Sequence, residues 1–397
     1  MKDPTFCINC YLQPFTYILK RFGINILPSC QEINGGTNNC QRLYYTFLLV
    51  IWVLLYFWGI FISLVDEQTS IQYCGGIVYN IRDSYSTIIL SKCLLLEILS
   101  SLVICLVKIY FQKYSKSQTF EYNYKGEIKN LLKIRKWVQR FVVIFFVSGV
   151  VIISIVVDVF IRYIPIPENR LIICSVLYTF FYTWCFGVLL YFIAVIFLMI
   201  YFIKLKFENI CQACSEFRIN LERIENVLII EERKFVELCE IIKELDDEFS
   251  YVLSIAGFSM TKSVACCLYY IMFAPPIDKI FFALFALVLT ISYMTVGVTV
   301  ADIPVKASAP IEQLRILSIY ELDVIHKWKV VTFVKWMNVD RVGFHYFGTI
   351  LVTKSYVIES ICSIWSALSS LMQFRDLMSE EYVSSICNKT LFENLYN

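Results

Sequence analysis

The chain has 397 residues, of which 58% are apolar, 16% aromatic and 17% charged, with a formal net charge of +2 and a mean hydropathy of +0.65. Soluble domains hold about a quarter charged residues, so this balance excludes an ordinary water-soluble enzyme and, being nearly neutral, offers no basic surface for nucleic acid. It fits a chain embedded in membrane lipid.

The first 42 residues contain no short apolar run ending in a small-residue cleavage site, so no cleaved signal peptide is expected and the first spanning helix would direct insertion. Seven stretches are long and apolar enough to cross a hydrocarbon core of about 30 Å. They are residues 43–65, 85–110, 141–163, 171–203, 251–273, 280–301 and 356–374. Basic residues accumulate on the cytoplasmic side, and with the N-terminus inside, 26 of the 35 Lys and Arg fall in inside segments and 6 in outside ones. The expected fold is an all-α polytopic membrane protein with seven transmembrane helices, a cytoplasmic N-terminus, an extracellular C-terminus and cytoplasmic helical extensions. Its expected divisions are a cytoplasmic N-terminal segment (1–42), transmembrane helices one to four (43–203), a cytoplasmic helical loop (204–250), transmembrane helices five and six (251–302), a cytoplasmic helical segment (303–355), the last transmembrane helix (356–374) and an extracellular tail (375–397). That orientation is the reverse of a G-protein-coupled receptor, and neither Asp-Arg-Tyr after the third segment nor Asn-Pro-x-x-Tyr in the seventh is present. Asn388-Lys389-Thr390 is a glycosylation pattern that suits an outside tail.

Between the fourth and fifth segments, Leu221, Ile224, Leu228, Phe235, Leu238, Ile242, Leu245, Phe249 and Leu253 recur at spacings of three, four and seven with charged residues between them. The spacing predicts a helix that runs from the cytosol into the fifth span. It would be either a solvated helix laid on its neighbours or part of a cytoplasmic bundle that packs subunits together. Residues 308–335 would add another helix to that bundle. No internal repeat, low-complexity tract or second soluble domain is present.

Catalytic chemistry is hard to assemble from these residues. The two histidines, His326 and His345, belong to no His-Glu-x-x-His pair, and Gly-x-Ser-x-Gly and phosphate-loop patterns are absent, so neither an enzyme activity nor a cofactor is expected. Cys7/Cys10 and Cys211/Cys214 have the two-residue gap of zinc ligands but lack knuckle glycines, and no metal is expected. Most of the 16 cysteines lie in spans and read as small buried apolar groups, whereas Cys74 and Cys387 fall outside, where oxidation is possible.

The outer halves of the middle spans are aromatic. Tyr178, Phe181, Tyr182 and Trp184 open the fourth, Tyr269, Tyr270 and Phe273 close the fifth, and Phe281 opens the sixth. Such residues are either interfacial anchors or the walls of a cavity for a small organic ligand. Asp158 and Arg162, one turn apart at the outer end of the third span, favour the cavity, because anchors do not need charge there.

The last span carries Glu359, Ser363, Ser366, Ser370 and Gln373 at steps of four, three, four and three, on one helical stripe. Ile361, Ile364, Trp365, Leu368, Leu371 and Met372 fall on the other side. A polar line at membrane depth borders either water or protein, since polar side chains facing hydrocarbon are costly. Serines could instead bond back to their own helix within a buried bundle. Glu359 and Gln373 cannot satisfy themselves so locally, which favours a pore-lining helix.

The seven-span layout with the N-terminus inside, the long helical loop before the fifth span and a last helix ending in Gln373-Phe374 resemble the insect gustatory receptors. Their signature is Thr-Tyr, five apolar residues, then Gln-Phe. Here the stretch is Ser366-Ala367-Leu368-Ser369-Ser370-Leu371-Met372-Gln373-Phe374, with Ser366 standing for the Thr and Ala367 departing from the Tyr. Phe344-His345-Tyr346-Phe347-Gly348 is similar to the family's aromatic and glycine run, and residues 238–245 to its approach to the fifth span.

The resemblance implies a ligand-gated, nonselective cation channel of four identical or related subunits in the plasma membrane of chemosensory neurons. The last helix of each would line the pore, with Gln373 and Phe374 closing its outer end. In family members tuned to sugars an acidic residue follows the Thr-Tyr pair. Leu368 holds that position here, which points to a bitter or other plant-derived tastant. The expected partners are therefore a small organic molecule, membrane lipid and related subunits. The alternatives are an odorant-receptor-like channel subunit and a non-channel membrane transporter.

Overall fold

The computed structural model describes residues 6–22, 39–65, 68–69, 73–74, 92–93, 96–97, 99–101, 103–104, 119–120, 125–162, 168–216, 224–273, 276–319, 323–337 and 342–396. Among the described residues the helices of several turns are, in order, α1 (Ile8–Arg21), α2 (Asn39–Leu64), α3 (Lys125–Arg162), α4 (Glu168–Glu216), α5 (Ile224–Phe273), α6 (Pro276–Ile319), α7 (Val324–Met337) and α8 (Lys354–Tyr396). Two short antiparallel pairs accompany them, β1 (Phe6–Cys7) with β2 (Thr119–Phe120) and β3 (His345–Tyr346) with β4 (Ile350–Leu351).

The chain is an all-α polytopic membrane protein. Among the described residues five helical stretches are long and apolar enough to cross a membrane: Thr46–Leu64, Lys129–Ile155, Ile172–Ser215, Phe249–Phe273 and Phe282–Ile316. They overlap the first, third, fourth, fifth and sixth expected segments. The second, residues 85–110, lies mostly outside the described residues, of which it contains 92–93, 96–97, 99–101 and 103–104. The seventh, residues 356–374, is helical within α8 but is not among the five; it carries Glu359, Gln373 and several serines.

Helix α4 organises the interior. Its 49 residues extend roughly 75 Å at 1.5 Å per residue, more than twice a hydrocarbon core. Val195, Ile196, Leu198, Met199, Ile200, Phe202 and Ile203 are all buried. Consecutive burial means that every side of the helix is covered, as a helix apolar all round requires. It packs on α1, α3, α5 and α6. Gly187 permits the closest approach, since a Cβ there would lie 2.7 Å from the ring of Phe22 and 2.9 Å from that of Phe146.

On α5 the heptad residues Phe235, Leu238, Ile242, Leu245, Phe249 and Leu253 are buried along one uninterrupted helix. Leu221, and the side chains of Ile224 and Leu228, lie outside the described residues. The Phe235 ring meets Phe207 of α4 at 5.7 Å and Phe333 of α7 at 6.0 Å, joining three helices.

Two features depart from the sequence expectation. Within 1–42, α1 is an amphipathic helix with Tyr11, Leu12, Phe15 and Leu19 buried and Gln13, Tyr17 and Arg21 exposed. It lies along α4, with Tyr11 6.4 Å from Phe202 and Phe15 6.5 Å from Tyr191. Cys174, expected as a buried apolar group, is instead joined by a disulfide to Cys74, 100 residues earlier. The bond pins Cys74 to the start of α4, and the segment is held further where Trp58 donates to the Tyr73 carbonyl at 3.1 Å.

Peptide mapping without reduction is expected to recover Cys74 and Cys174 in one linked species. Cys174→Ser should leave Cys74 open to a membrane-impermeant thiol reagent on intact cells. Labelling of Cys74 only after permeabilisation would place this end of α4 on the cytoplasmic side and reverse the expected orientation.

Candidate functional site

Helix α8 begins at a built N-terminus. Thr353 caps it, its hydroxyl accepting from the Tyr356 N–H at 3.2 Å. Along the helix, Glu359, Ser363, Ser366, Ser370 and Gln373 are all exposed, whereas Val357, Ile364 and Leu368 are buried and Ile361 and Leu371 half-buried. Ser363 donates to the Ser360 carbonyl at 2.6 Å and Ser370 to that of Ser366 at 3.0 Å. These serines do bond back to their own helix, but on an open face and not inside a bundle. Trp365 and Met372, expected on the packed side, are exposed at 66% and 39% and flank the stripe with Ile358. A helix presenting polar and apolar strips side by side meets more than one environment.

The expected aromatic residues do not form one cavity. Tyr269 and Tyr270 are buried with Cys266 and Leu368, against half-buried Phe273, Phe282 and Leu371. Tyr270 stacks on Phe282 at 4.6 Å, Tyr269 meets Phe273 at 4.8 Å, and the Arg375 guanidinium lies 3.9 Å over the Phe273 ring. This cluster backs α8 on the side away from its polar stripe. Tyr178 forms a second cluster with Val157, Cys174, Trp58 and Tyr182, and its hydroxyl donates to the Cys74 carbonyl. Phe181 and Trp184 turn to a third group around Trp52, whose ring centre is 4.1 Å from that of Trp184. The division follows from helical phase, because residues 178 and 182 share a face that 181 and 184 do not. Asp158 is half-buried on α3. The side chains of Arg162, Phe281, Phe374 and Asn388, and Cys387 with them, lie outside the described residues.

The hairpin before α8 was visible in sequence only as an aromatic run with a glycine. Phe347 and Gly348 both take positive φ, 50° and 69°, and the Thr349 N–H donates to the Tyr346 carbonyl at 3.0 Å. With Tyr346 paired to Ile350 the loop has three residues, 347–349, and its first two take the left-handed conformation whose twist suits a hairpin. A bulky residue rarely adopts such a φ. Phe347 is held there by its N–H on Ser254 Oγ at 2.7 Å and by its ring against Tyr251 at 6.1 Å.

Asp246 of α5 clamps His345, which opens the hairpin, at both oxygens. It accepts from the His345 N–H at 2.7 Å and pairs with Nδ1 of its ring at 2.6 Å. Tyr346 lies against Gly257, where a Cβ would come within 2.7 Å of its hydroxyl, and 4.9 Å from the ring of Tyr356 on α8. Burial, with Tyr293 and Tyr356 beside it, pushes the Tyr346 phenol above its ordinary value, so it remains neutral. The hairpin thus touches α5, α6 and α8 together.

Among the described residues no three His, Cys, Asp or Glu side chains gather to hold an ion. Cys211 is half-buried and Cys214 buried on α4, and burial of this kind is what an inert thiol shows.

Neither a protein-family model nor a curated protein matches the chain. Solved structures do. The insect olfactory receptor OR5 from Machilis hrabei superposes with a TM-score of 0.64 at 10% identity, covering 92% of this chain and 98% of that one. The same receptor in complex with eugenol gives 0.63 at 10% identity with the same coverage. The likeness is one of fold and spans almost the whole of both chains.

Asp246→Ala is expected to lower stability by about 1–3 kcal/mol, the cost of leaving buried donors unpaired, read as a fall in the unfolding temperature of the purified protein. The neighbouring Asp247, which is exposed, should tolerate the same change.

Proposed function

We propose that the chain is a subunit of a ligand-gated, nonselective cation channel of the insect chemoreceptor kind, in which four copies, or copies of related subunits, set α8 around a shared axis. The observation that carries this is the open polar stripe of α8. Glu359 and Gln373 at membrane depth need water or partners, and small hydroxyls between them suit a conduit for hydrated cations. The fold-level likeness to an insect olfactory receptor favours an odorant-receptor-like subunit. Gln373-Phe374 keeps a gustatory receptor as the second reading. On either reading Gln373 and Phe374 narrow the outer end by bulk and by dewetting.

Orientation agrees from two sides. The basic residues favour an inside N-terminus, and the Cys74–Cys174 bond belongs in an oxidising, outside compartment. That supports the plasma membrane of a sensory cell as the working location. Assembly has its own support. On the cytoplasmic helix α7, Val324, Ile325, Trp328 and Val331 are exposed along one face, Trp328 at 69%, and such apolar strips in water mark protein contacts.

The ligand would be a small organic molecule, for which eugenol, bound by the neighbouring receptor, is the first probe. The Tyr269, Tyr270, Phe273 and Phe282 cluster is the better candidate site, because Leu368 and Leu371 of α8 belong to it. A ligand that repacks those rings acts on the pore helix directly. Leu368 is buried there, where an acidic side chain would have no place, which favours an apolar ligand over a sugar.

Cysteines at Ser363, Ser366 and Ser370 are expected to react with a small water-soluble thiol reagent and block current, while cysteines at Ile364 and Leu371 stay silent. Reactivity that ignores this periodicity would sink the pore assignment. Phe374→Ala should give leak current without ligand. Separately, Tyr269→Ala is expected to raise the half-maximal ligand concentration more than it lowers the maximal current, since lost contacts reduce occupancy before conduction. Equal loss of current at every concentration would point to misfolding instead.

A further inference from the structure

Three helices meet in charge at the inner end of α8. Asp302 on α6 holds two lysines: Lys204 of α4 through Oδ2 at 2.7 Å, and Lys354, the first residue of α8, through Oδ1 at 3.0 Å. One turn further along α6, Lys306 reaches Glu208 of α4 at 2.7 Å. Lys204 and Asp302 keep only 25% and 24% of their side-chain exposure, so their attraction is screened less than that of a surface pair.

The contacts of α8 on its packed face are of another kind. Val357 lies on Gly297, and Ile364, Leu368 and Leu371 sit among apolar neighbours. Apolar packing is non-directional and tolerates small shifts, whereas a carboxylate sharing its two oxygens between two ammonium groups fixes position. The approach to the hairpin converges on the same turn of α6, since a Cβ at Gly343 would lie 2.9 Å from the Pro304 ring. Pro304, like Pro310 further along, lacks the N–H that would bond back one turn, so α6 is missing one ladder bond across the turn that holds Asp302.

We propose that Asp302 is a positioning residue for α8. Through Lys354 it fixes the inner end of the helix against α4 and α6, and so sets the balance between closed and conducting states. This rests on the channel reading. Because one carboxylate serves both lysines, removing it frees α8 and α4 together, while removing Lys354 leaves the Lys204 contact in place.

At equal surface expression, Asp302→Asn and Lys354→Met are each expected to raise the ratio of ligand-free to ligand-evoked current several-fold. The double variant should do no more than Asp302→Asn alone, the non-additivity of residues that act as one unit, and Lys354→Arg should stay near wild type. In the purified protein, amide exchange over residues 354–360 should quicken in Asp302→Asn and Lys354→Met but not in Lys354→Arg. An unchanged current ratio overturns the proposal, even if exchange quickens, because the contact would then be structural only. Additive effects in the double variant also overturn it. A wild-type protein that carries no current under any condition defeats the channel reading itself, and the gating role with it, while the exchange result still reports whether Asp302 holds α8.

Discussion

A backbone or side-chain polar group left bare in hydrocarbon costs several kcal/mol, and the design of this chain follows from avoiding that cost. The spans are helices because only helices satisfy their own amides one segment at a time. Hydroxyls within them bond back one turn, as Ser154, Thr261 and Thr290 do. Other polar groups are paired between helices: Ser101 with Ser259 at 2.5 Å, and Lys262 with Glu97 at 3.4 Å. The stripe on α8 stands apart, because Glu359 and Gln373 are both exposed.

The same helices obey different physics at their two ends. In lipid there is no hydrophobic drive between apolar helices, so close packing through small residues must do the holding. In water apolar burial works in full, and beyond the long apolar stretches α5 repeats its large residues with heptad spacing while α7 adds Val330 and Phe333. Helices α4, α5 and α6 are long enough to serve both regimes without a break. A movement at one end of α4 or α5 would therefore be carried along one continuous helix and not through loops.

How far the sequence was readable depends on the range of the interaction. Periodicity is local, and the five long apolar stretches and the phase of α8 were legible from it. Helix α1 was not, because a face of four apolar residues interrupted by Pro14 is faint beside the spans that follow. The hairpin needed Phe347 in a conformation that its side chain disfavours, stabilised by Asp246 and Ser254 more than 90 residues away. Cys174 looked like any buried thiol until its partner, 100 residues distant, was in place. The aromatic residues were found by type but divided among three clusters by helical phase, which a list of types does not contain.

The departure at Ala367 has a physical setting. Ala367 is half-buried against Val264, Ala265, Leu289 and Ile364, with Met260 and Phe285 beside them. Small residues at 265 and 367 let α5 and α8 come close, the packing that lipid favours. A tyrosine at 367 would need the volume now held by these neighbours and a partner for its hydroxyl. Aromatic side chains lie instead around the next residue, Leu368, where α5 and α6 supply Tyr269, Tyr270 and Phe282. Helix α8 thus has an aromatic backing on its packed face, supplied by the two neighbouring helices.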